Sequence, residues 1–270
     1  MQTVGQWLAE ARATGVDRLD AQLILGRALA QSRSWVIAHD DALLDAAQTD
    51  AVRAAFARRA AGEPLAYLLG EKEFHGLLLR IDASVLVPRP DTEVLVDWAL
   101  ELLAQRTSAR VVDLGTGSGA IALAVKRGCP AATVLATDIS HAALGVARAN
   151  ARRLALDVGF APSSWWTALA GQRFDLVLSN PPYVAADDPH LAALRHEPAL
   201  ALTPGGDGLD ALRKIVGGAA RHMTAGAWLL LEHGYDQADA VQALLRAHGF
   251  GSIATRHDLA SQPRCTGAQH

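Results

Sequence analysis

Cysteine is nearly missing from this 270-residue chain. Cys129 and Cys265 stand far apart and belong to no metal-ligand spacing, which argues against a disulfide framework and leaves a metal site without a ligand set. Both read as packing residues, and no metal is expected. Long apolar runs are lacking too. No stretch approaches the ~20 apolar residues a membrane helix needs, and the opening MQTVGQWLAEARATG has neither the basic start nor the apolar run of a secretory signal. A cytoplasmic protein with no membrane association is expected. Nor is there an excess of positive charge. The formal net charge is −3, whereas proteins that live on nucleic-acid phosphates usually carry a strongly basic face. Within residues 1–62, Arg12, Arg18, Arg27, Arg33, Arg53, Arg58 and Arg59 are matched by Glu10, Asp17, Asp20, Asp40, Asp41, Asp45 and Asp50. No stable nucleic-acid binding is expected, and no repeat or low-complexity segment is present.

What is there suffices for a sizeable core, since 50% of the residues are apolar and 20% charged. Residues 1–70 carry helix signals and almost no strand signal. Val4, Trp7, Leu8 and Ala11 fall at helical spacing, as do Leu19, Leu23, Leu25 and Leu29, and Asp50 reads as the cap of a helix carrying Val52, Phe56 and Ala60. Such helices each bury one stripe and form a small bundle. Residues 71–90 read as a β-hairpin and linker. Glu71–Phe74 and Leu77–Ile81 flank His75-Gly76, and Pro88-Arg89-Pro90 stiffens the entry to a helix near Asp91. Residues 91–270 alternate strand and helix over 110–115, 120–128, 133–138, 140–154, 174–180, 208–223, 227–233, 237–248 and 251–257. That alternation predicts an α/β domain with a mainly parallel sheet covered on both faces.

Three strand ends carry chemistry. The first is the run Val111-Val112-Asp113-Leu114, which leads into Gly115-Thr116-Gly117-Ser118-Gly119 and then a helix. Glycines let backbone approach a ligand, and a helix N-terminus favours negative groups. At the second, Thr133–Thr137 ends in Asp138, where a carboxylate can take both hydroxyls of a ribose. The spacing G-x-G-x-G, with an acid two positions before the first glycine, departs from the dinucleotide pattern and fits S-adenosylmethionine better than NAD. The third is Asn180-Pro181-Pro182-Tyr183, after Phe174–Ser179. There the Asn180 side-chain oxygen and the Pro181 carbonyl can accept from one planar NH2 group, with Tyr183 against its flat face, on a turn stiffened by two prolines. The tetrapeptide points to methyl transfer onto an sp² nitrogen. A structural turn with a core tyrosine is the plain alternative. Ligands bind beyond the carboxyl ends of such strands, so one cleft can hold both cofactor and target, and the loop 184–206 is long enough to close over it.

With Pro88-Arg89-Pro90-Asp91-Thr92-Glu93, Asp113-Leu114-Gly115-Thr116-Gly117-Ser118-Gly119 and Ser179-Asn180-Pro181-Pro182-Tyr183 in this order, the chain resembles the release-factor glutamine methyltransferases of the HemK or PrmC type. Glu197-Pro198, Gly206-Asp207-Gly208-Leu209-Asp210, Leu231-Glu232-His233-Gly234 and the tail with Asp258-Leu259-Ala260, Arg264 and Gly267 extend the resemblance over nearly the whole chain. It implies a Rossmann-like class I methyltransferase with a mainly parallel seven-stranded sheet, preceded by a helical domain that contacts the substrate. The implied reaction moves the methyl of S-adenosylmethionine to the side-chain amide nitrogen of the glutamine in the Gly-Gly-Gln loop of class 1 peptide chain release factors, leaving S-adenosylhomocysteine, in a monomeric enzyme. It further implies that Gly115, Thr116, Gly117, Ser118, Gly119, Asp138 and Asn180 bind the cofactor. A tryptophan beside the adenine aligns with Trp165, with Trp166 as the neighbouring alternative, and Ser164 stands where many members carry an acid.

Asn180 takes the central catalytic role in this reading. Pro181 contributes its carbonyl and Tyr183 a wall, while Pro182, Arg89 and Glu93 shape the cleft or touch the protein substrate. His190 and His196 read as solvated loop residues, and Glu232 and His233 as suppliers of a supporting hydrogen bond. NPPY is shared with adenine and guanine amino methyltransferases and with a glutamine methyltransferase of a ribosomal protein, so those substrates stand as alternatives. A connector reading PRPDTE rather than Pro-Arg-Ser-Pro favours the release factor.

Overall fold

The computed structural model describes residues 2–104, 106 and 108–270, and the chain divides into two compact units, Met1–Glu71 and Lys72–His270. Capping side chains start the helices of the first unit. Thr3 accepts from the Gln6 backbone N–H at 3.3 Å while the Gln6 side chain accepts from Thr3 N–H at 2.9 Å, and this capping box opens α1, Val4–Ala13. Asp17 caps α2, Arg18–Leu29, and Ser32 caps α3, Arg33–Ala38. A second box, Asp45 with Gln48, opens α4, Ala46–Ala60, and α5, Leu65–Leu69, follows Pro64. The cap expected at Asp50 is thus corrected. Asp45 and Gln48 satisfy two backbone N–H groups more than a turn earlier, and Asp50 pairs with Arg53 on the surface.

The bundle buries Val4, Trp7, Leu25, Val36, Val52 and Phe56, with Trp7 and Phe56 edge to face at 5.9 Å. On α2 the buried stripe is Ala21, Ile24 and Leu25, while Leu19 stays exposed. Trp35 is half-buried and stacks on His39 at 4.2 Å.

In the second unit β1, Glu71–Phe74, and β2, Leu77–Arg80, form a hairpin. A 3-10 turn at Pro90–Thr92 leads into α6, Glu93–Leu103. Then follow β3 (Arg110–Leu114), α7 (Ala120–Gly128), β4 (Thr133–Asp138), α8 (His141–Leu154), β5 (Gly159–Pro162), β6 (Phe174–Ser179), α9 (Ala199–Leu202), α10 (Asp210–Ala219), β7 (Met223–Glu232), α11 (Ala238–Ala247), β8 (Gly251–His257) and β9 (Pro263–Gln269). Among the described residues β3 to β9 form one seven-stranded sheet in the order β5-β4-β3-β6-β7-β9-β8, parallel from β5 to β7 and antiparallel at β9 and β8.

Alternation of side chains along the strands builds two cores. Val111, Leu176, Leu178 and Leu230 pack with α6 and α7 on one face, and Val112, Leu114, Val177, Leu229 and Leu231 pack with α10 and α11 on the other. Strands buried on both faces explain the near-continuous apolar runs in β3 and β6. From β3 the chain steps outward to β4 and β5, then returns to β3's other edge with β6 and β7. The order reverses at β3 and β6, and ligand clefts in open α/β sheets form at such a reversal.

Candidate active site

The carboxyl ends of β3 and β6 are fastened to each other before their loops diverge, because the buried Ser179 hydroxyl donates to the Leu114 carbonyl at 2.6 Å. From there the chain after β3 turns back over β4, where the N–H groups of Gly115 and Thr116 both donate to the Thr137 carbonyl at 2.8 Å. Gly115 has φ +74°, a left-handed backbone that favours glycine, and it packs against the Trp165 ring, which a Cβ there would meet at 3.5 Å. At Gly119, φ is +86° and a Cβ would stand 3.2 Å from that of Ala147, so the loop seats directly on α8.

Two carboxylates hold this loop. Asp138, at the end of β4, accepts from Gly117 N–H at 2.9 Å through Oδ2 and from Ser140 N–H at 2.8 Å through Oδ1. Asp113 is fully buried behind the loop and accepts from the Thr116 hydroxyl at 2.6 Å, while its Oδ1 has no partner among the described residues. Burial pushes the Asp113 carboxyl up to about 7, against the Thr116 hydrogen bond that favours its charged form. A third support, the fully buried Asn150 of α8, carries no local signal in its sequence surroundings. Its Nδ2 donates to Ser118 O and Arg80 O at 2.9 Å and its Oδ1 accepts from Arg80 N–H at 2.8 Å, which ties the glycine loop to the hairpin.

These strand ends surround a cavity of about 370 Å³. Its wall includes Gly115 to Ser118, Asp138, Ile139, Trp165, Asn180 and Pro182. Trp165 takes φ +53°, which a bulky residue rarely adopts and which clusters at ligand sites. The neighbouring Trp166 points elsewhere, donating Nε1–H to Ile215 O at 3.0 Å and stacking on His222 at 4.8 Å. Ser164 lines the cavity as well.

Asn180 stands on the wall at the open end of β6, and its Nδ2 donates to Thr92 Oγ1 at 3.2 Å. Pro181 is buried outside the cavity lining. Tyr183 also lies outside the lining and donates its hydroxyl to Glu232 Oε1 at 3.3 Å, while Gln237 donates to its carbonyl at 2.9 Å. Burial raises the Tyr183 pKa, so the hydroxyl stays protonated and donates. Burial likewise pushes the Glu232 carboxyl up to about 7.

The connector distributes its polar groups one by one. Arg89 lines the cavity and its guanidinium pairs with the buried Glu197, which also accepts from Val87 N–H at 2.9 Å. Asp91 faces Arg264 at 3.5 Å, Thr92 takes Asn180, and Glu93, away from the cavity, accepts from His75 N–H at 3.0 Å. His190 is exposed and bonded to Asp188, so it takes no part in the cavity.

A nucleoside sulfonium fits the donor set. Asp138 keeps lone pairs beyond its two backbone bonds for ribose hydroxyls, and Ile139, 54% exposed beside it, and Trp165 line the same cavity and offer apolar surface to a flat base. The partnerless Asp113 Oδ1 lies under the loop that such a ligand would contact.

Residues 92–209 match the Methyltransferase small domain family and residues 4–70 the PrmC N-terminal domain. The Release factor glutamine methyltransferase of Bordetella pertussis is 50% identical over 256 residues, covering 94% of this chain and 95% of that one. The enzyme of the same name from Burkholderia pseudomallei is 50% identical over 268 residues, covering 96% and 94%. At the level of fold, the T. thermophilus 16S rRNA N2 G1207 methyltransferase, solved with AdoMet and guanosine, superposes with a TM-score of 0.55 at 20% identity, covering 74% of this chain and 49% of that one. Identity of that extent over nearly the full length, on a chain whose glycine loop, Asp138 and NPPY turn converge on one cavity, places the protein in the release factor glutamine methyltransferase family.

Proposed function

We propose that this protein transfers a methyl group from S-adenosylmethionine to the side-chain amide nitrogen of the glutamine in the Gly-Gly-Gln loop of class 1 peptide chain release factors. The observation that carries this reading is the orientation of Asn180. Its NH2 is committed to Thr92, which leaves the side-chain oxygen as an acceptor at the wall of the cofactor cavity. A primary amide is flat and offers two N–H groups, and we assign as their acceptors Asn180 Oδ1, on the wall, and the carbonyl of Pro181, next to it in the turn but outside the lining.

S-adenosylmethionine supplies an electrophilic methyl carried on a sulfonium. An amide nitrogen is a poor nucleophile because its lone pair is delocalised, so the chain's task is orientation. Asn180 and Pro181 hold the N–H groups and turn the nitrogen toward the methyl, at a near-attack distance of about 3 to 3.5 Å. The N–C bond forms as the C–S bond breaks, and positive charge grows on nitrogen. Fixed carbonyl dipoles stabilise that charge where water does not compete. The proton then leaves to water, and no dedicated base is needed.

We assign Gly115 to Gly119, Asp138 and Trp165 to the cofactor, and Tyr183 and Pro182 to the shape of the acceptor turn. Arg89 sets the position of the loop it clamps, and Glu93 that of the hairpin. The helical unit at residues 1–70 contacts the release factor. The reading further places the enzyme in the cytoplasm as a monomer, and among the described residues no helix is long and apolar enough to cross a membrane. Incubation with purified release factor and labelled S-adenosylmethionine is expected to label the Gly-Gly-Gln peptide. Labelling of nucleic acid or of a ribosomal protein in its place would overturn the proposal.

A further inference from the structure

An amide side chain has a donor end and an acceptor end, and only the acceptor end can hold the N–H groups of a glutamine. Which end Asn180 presents is decided by Thr92, whose Oγ1 receives Asn180 Nδ2–H. A hydroxyl that accepts in this way directs its own proton elsewhere. Thr92 is itself buried, and its side chain is close enough to the Glu232 carboxyl to favour the ionised form. Glu232 ends β7 and is 1% exposed. Its Oε1 takes the Tyr183 hydroxyl, and its Oε2 is buried with no hydrogen-bond partner among the described residues, a vacant acceptor for the Thr92 proton.

The geometry points to a positioning chain, Glu232 to Thr92 to Asn180, in which the buried carboxylate draws the Thr92 proton so that Thr92 accepts from Asn180 and the Asn180 oxygen is turned to the substrate amide. This rests on the glutamine-methylation reading above and adds two residues to it, Thr92 on the cavity wall beside Asn180 and Glu232 outside the lining, both acting through Asn180.

The alternative arrangement shows what the carboxylate is for. If Glu232 is protonated it can donate to Thr92, which then donates to the Asn180 oxygen, and the Asn180 NH2 swings toward the cavity. There it would confront the N–H groups of the glutamine, donor against donor. Around Glu232 stand Tyr183, Asp91 of the connector, and Arg264 and Cys265 of β9, with His233 next in sequence. Arg264 favours the carboxylate, and Asp91 and burial oppose it. Arg264 is itself divided between Asp258 at 3.1 Å and Asp91 at 3.5 Å. Since burial brings the Glu232 carboxyl up to about 7, methyl transfer should gain rate as pH rises through neutrality.

The test measures kcat, KM for intact release factor, and calorimetric affinity for S-adenosylmethionine in the full-length protein. Thr92→Val keeps the shape and removes the hydroxyl; kcat is expected to fall about tenfold, the size of one lost hydrogen bond, while cofactor affinity is unchanged. Thr92→Ser, which keeps the oxygen, recovers most of the loss. Glu232→Gln gives two converging hydroxyls a single acceptor oxygen, so kcat falls and the acid limb of its pH profile disappears. Combined with Asn180→Ala, Thr92→Val should cost nothing more, because its effect passes through Asn180. A Thr92→Val enzyme at wild-type kcat, additivity with Asn180→Ala, or an unchanged acid limb in Glu232→Gln would overturn the chain and leave the glutamine reading intact. Failure of the wild type itself to methylate release factor would overturn both. Should Thr92→Val not fold, the Ser and Gln variants decide alone.

Discussion

Asn180→Ala takes away one of two acceptors without disturbing the proline pair that fixes its turn. By analogy with removal of one oxyanion-hole group, methyl transfer is expected to slow on the order of 10² to 10³, with near-normal folding and cofactor affinity; single-turnover kinetics on saturated enzyme measure it. Asp138→Ala acts on the other ligand. It deletes a charged acceptor for ribose hydroxyls and frees Gly117 N–H, so cofactor binding should weaken by about 1.5 to 3 kcal/mol, read by calorimetry. Nicotinamide dinucleotide should not bind at all. The positions of Asn180, Asp138 and Gly115 were legible in the sequence because each closes an apolar run, and a strand's end is where a parallel sheet offers its side chains to a ligand. Thr92, Asn150 and Glu197 gave no such sign as partners. Their hydrogen bonds join positions 88, 70 and 110 residues apart, and nothing local encodes such pairs.

At the scale of elements, the connector between hairpin and α6 is held by side chains from several separate segments. Arg89 reaches the loop before α9, Asp91 reaches β9, Thr92 reaches the end of β6, and Glu93 returns to the hairpin. The motif that looked like a stiff entry to a helix is therefore also a junction, and its proline spacing only explains the stiffness. Glu197 tests the junction. Glu197→Ala strands the Val87 N–H and leaves the half-exposed Arg89 to water, at a cost of about 1 to 3 kcal/mol by urea unfolding. A raised KM for release factor should accompany it, with cofactor affinity retained.

Helices and central strands were readable from period and apolar runs, but β5 and β9 were not. Gly159-Phe160-Ala161-Pro162 and Pro263–Gln269 carry glycine and proline and few β-branched residues, and they are strands because neighbouring strands supply their ladders. Trp165 over Trp166 was likewise unreadable, since only the local backbone turns one ring to the cavity and the other to His222.

For the molecule as a whole, two buried carboxyls make stability depend on pH. Asp113 and Glu232 are raised to about 7 from 3.8 and 4.5, so the folded state holds their protons more tightly than the unfolded chain. Their contribution is whole below the unfolded values and is lost as pH rises to about 7, by on the order of 3 to 4 kcal/mol per carboxyl. Glu101, held down by Arg256, works in the opposite direction as pH falls. Urea midpoints should thus be higher at pH 5.5 than at pH 8, and Glu232→Gln should flatten the difference while gaining stability at pH 8. A variant that is both more stable and slower there would separate positioning from mere structural support. The position of β9 has a consequence for biosynthesis. This most C-terminal of the strands lies between β7 and β8, so until residues 263–269 have been translated, Trp228 to Glu232 present an unpaired edge rich in leucine and β8 has nothing to pair with. Exposed edges of that kind invite intermolecular pairing, so the nascent chain carries an adhesive flank from the translation of β7 until that of β9, and a chain stopped at Gln262 should collect in the insoluble fraction.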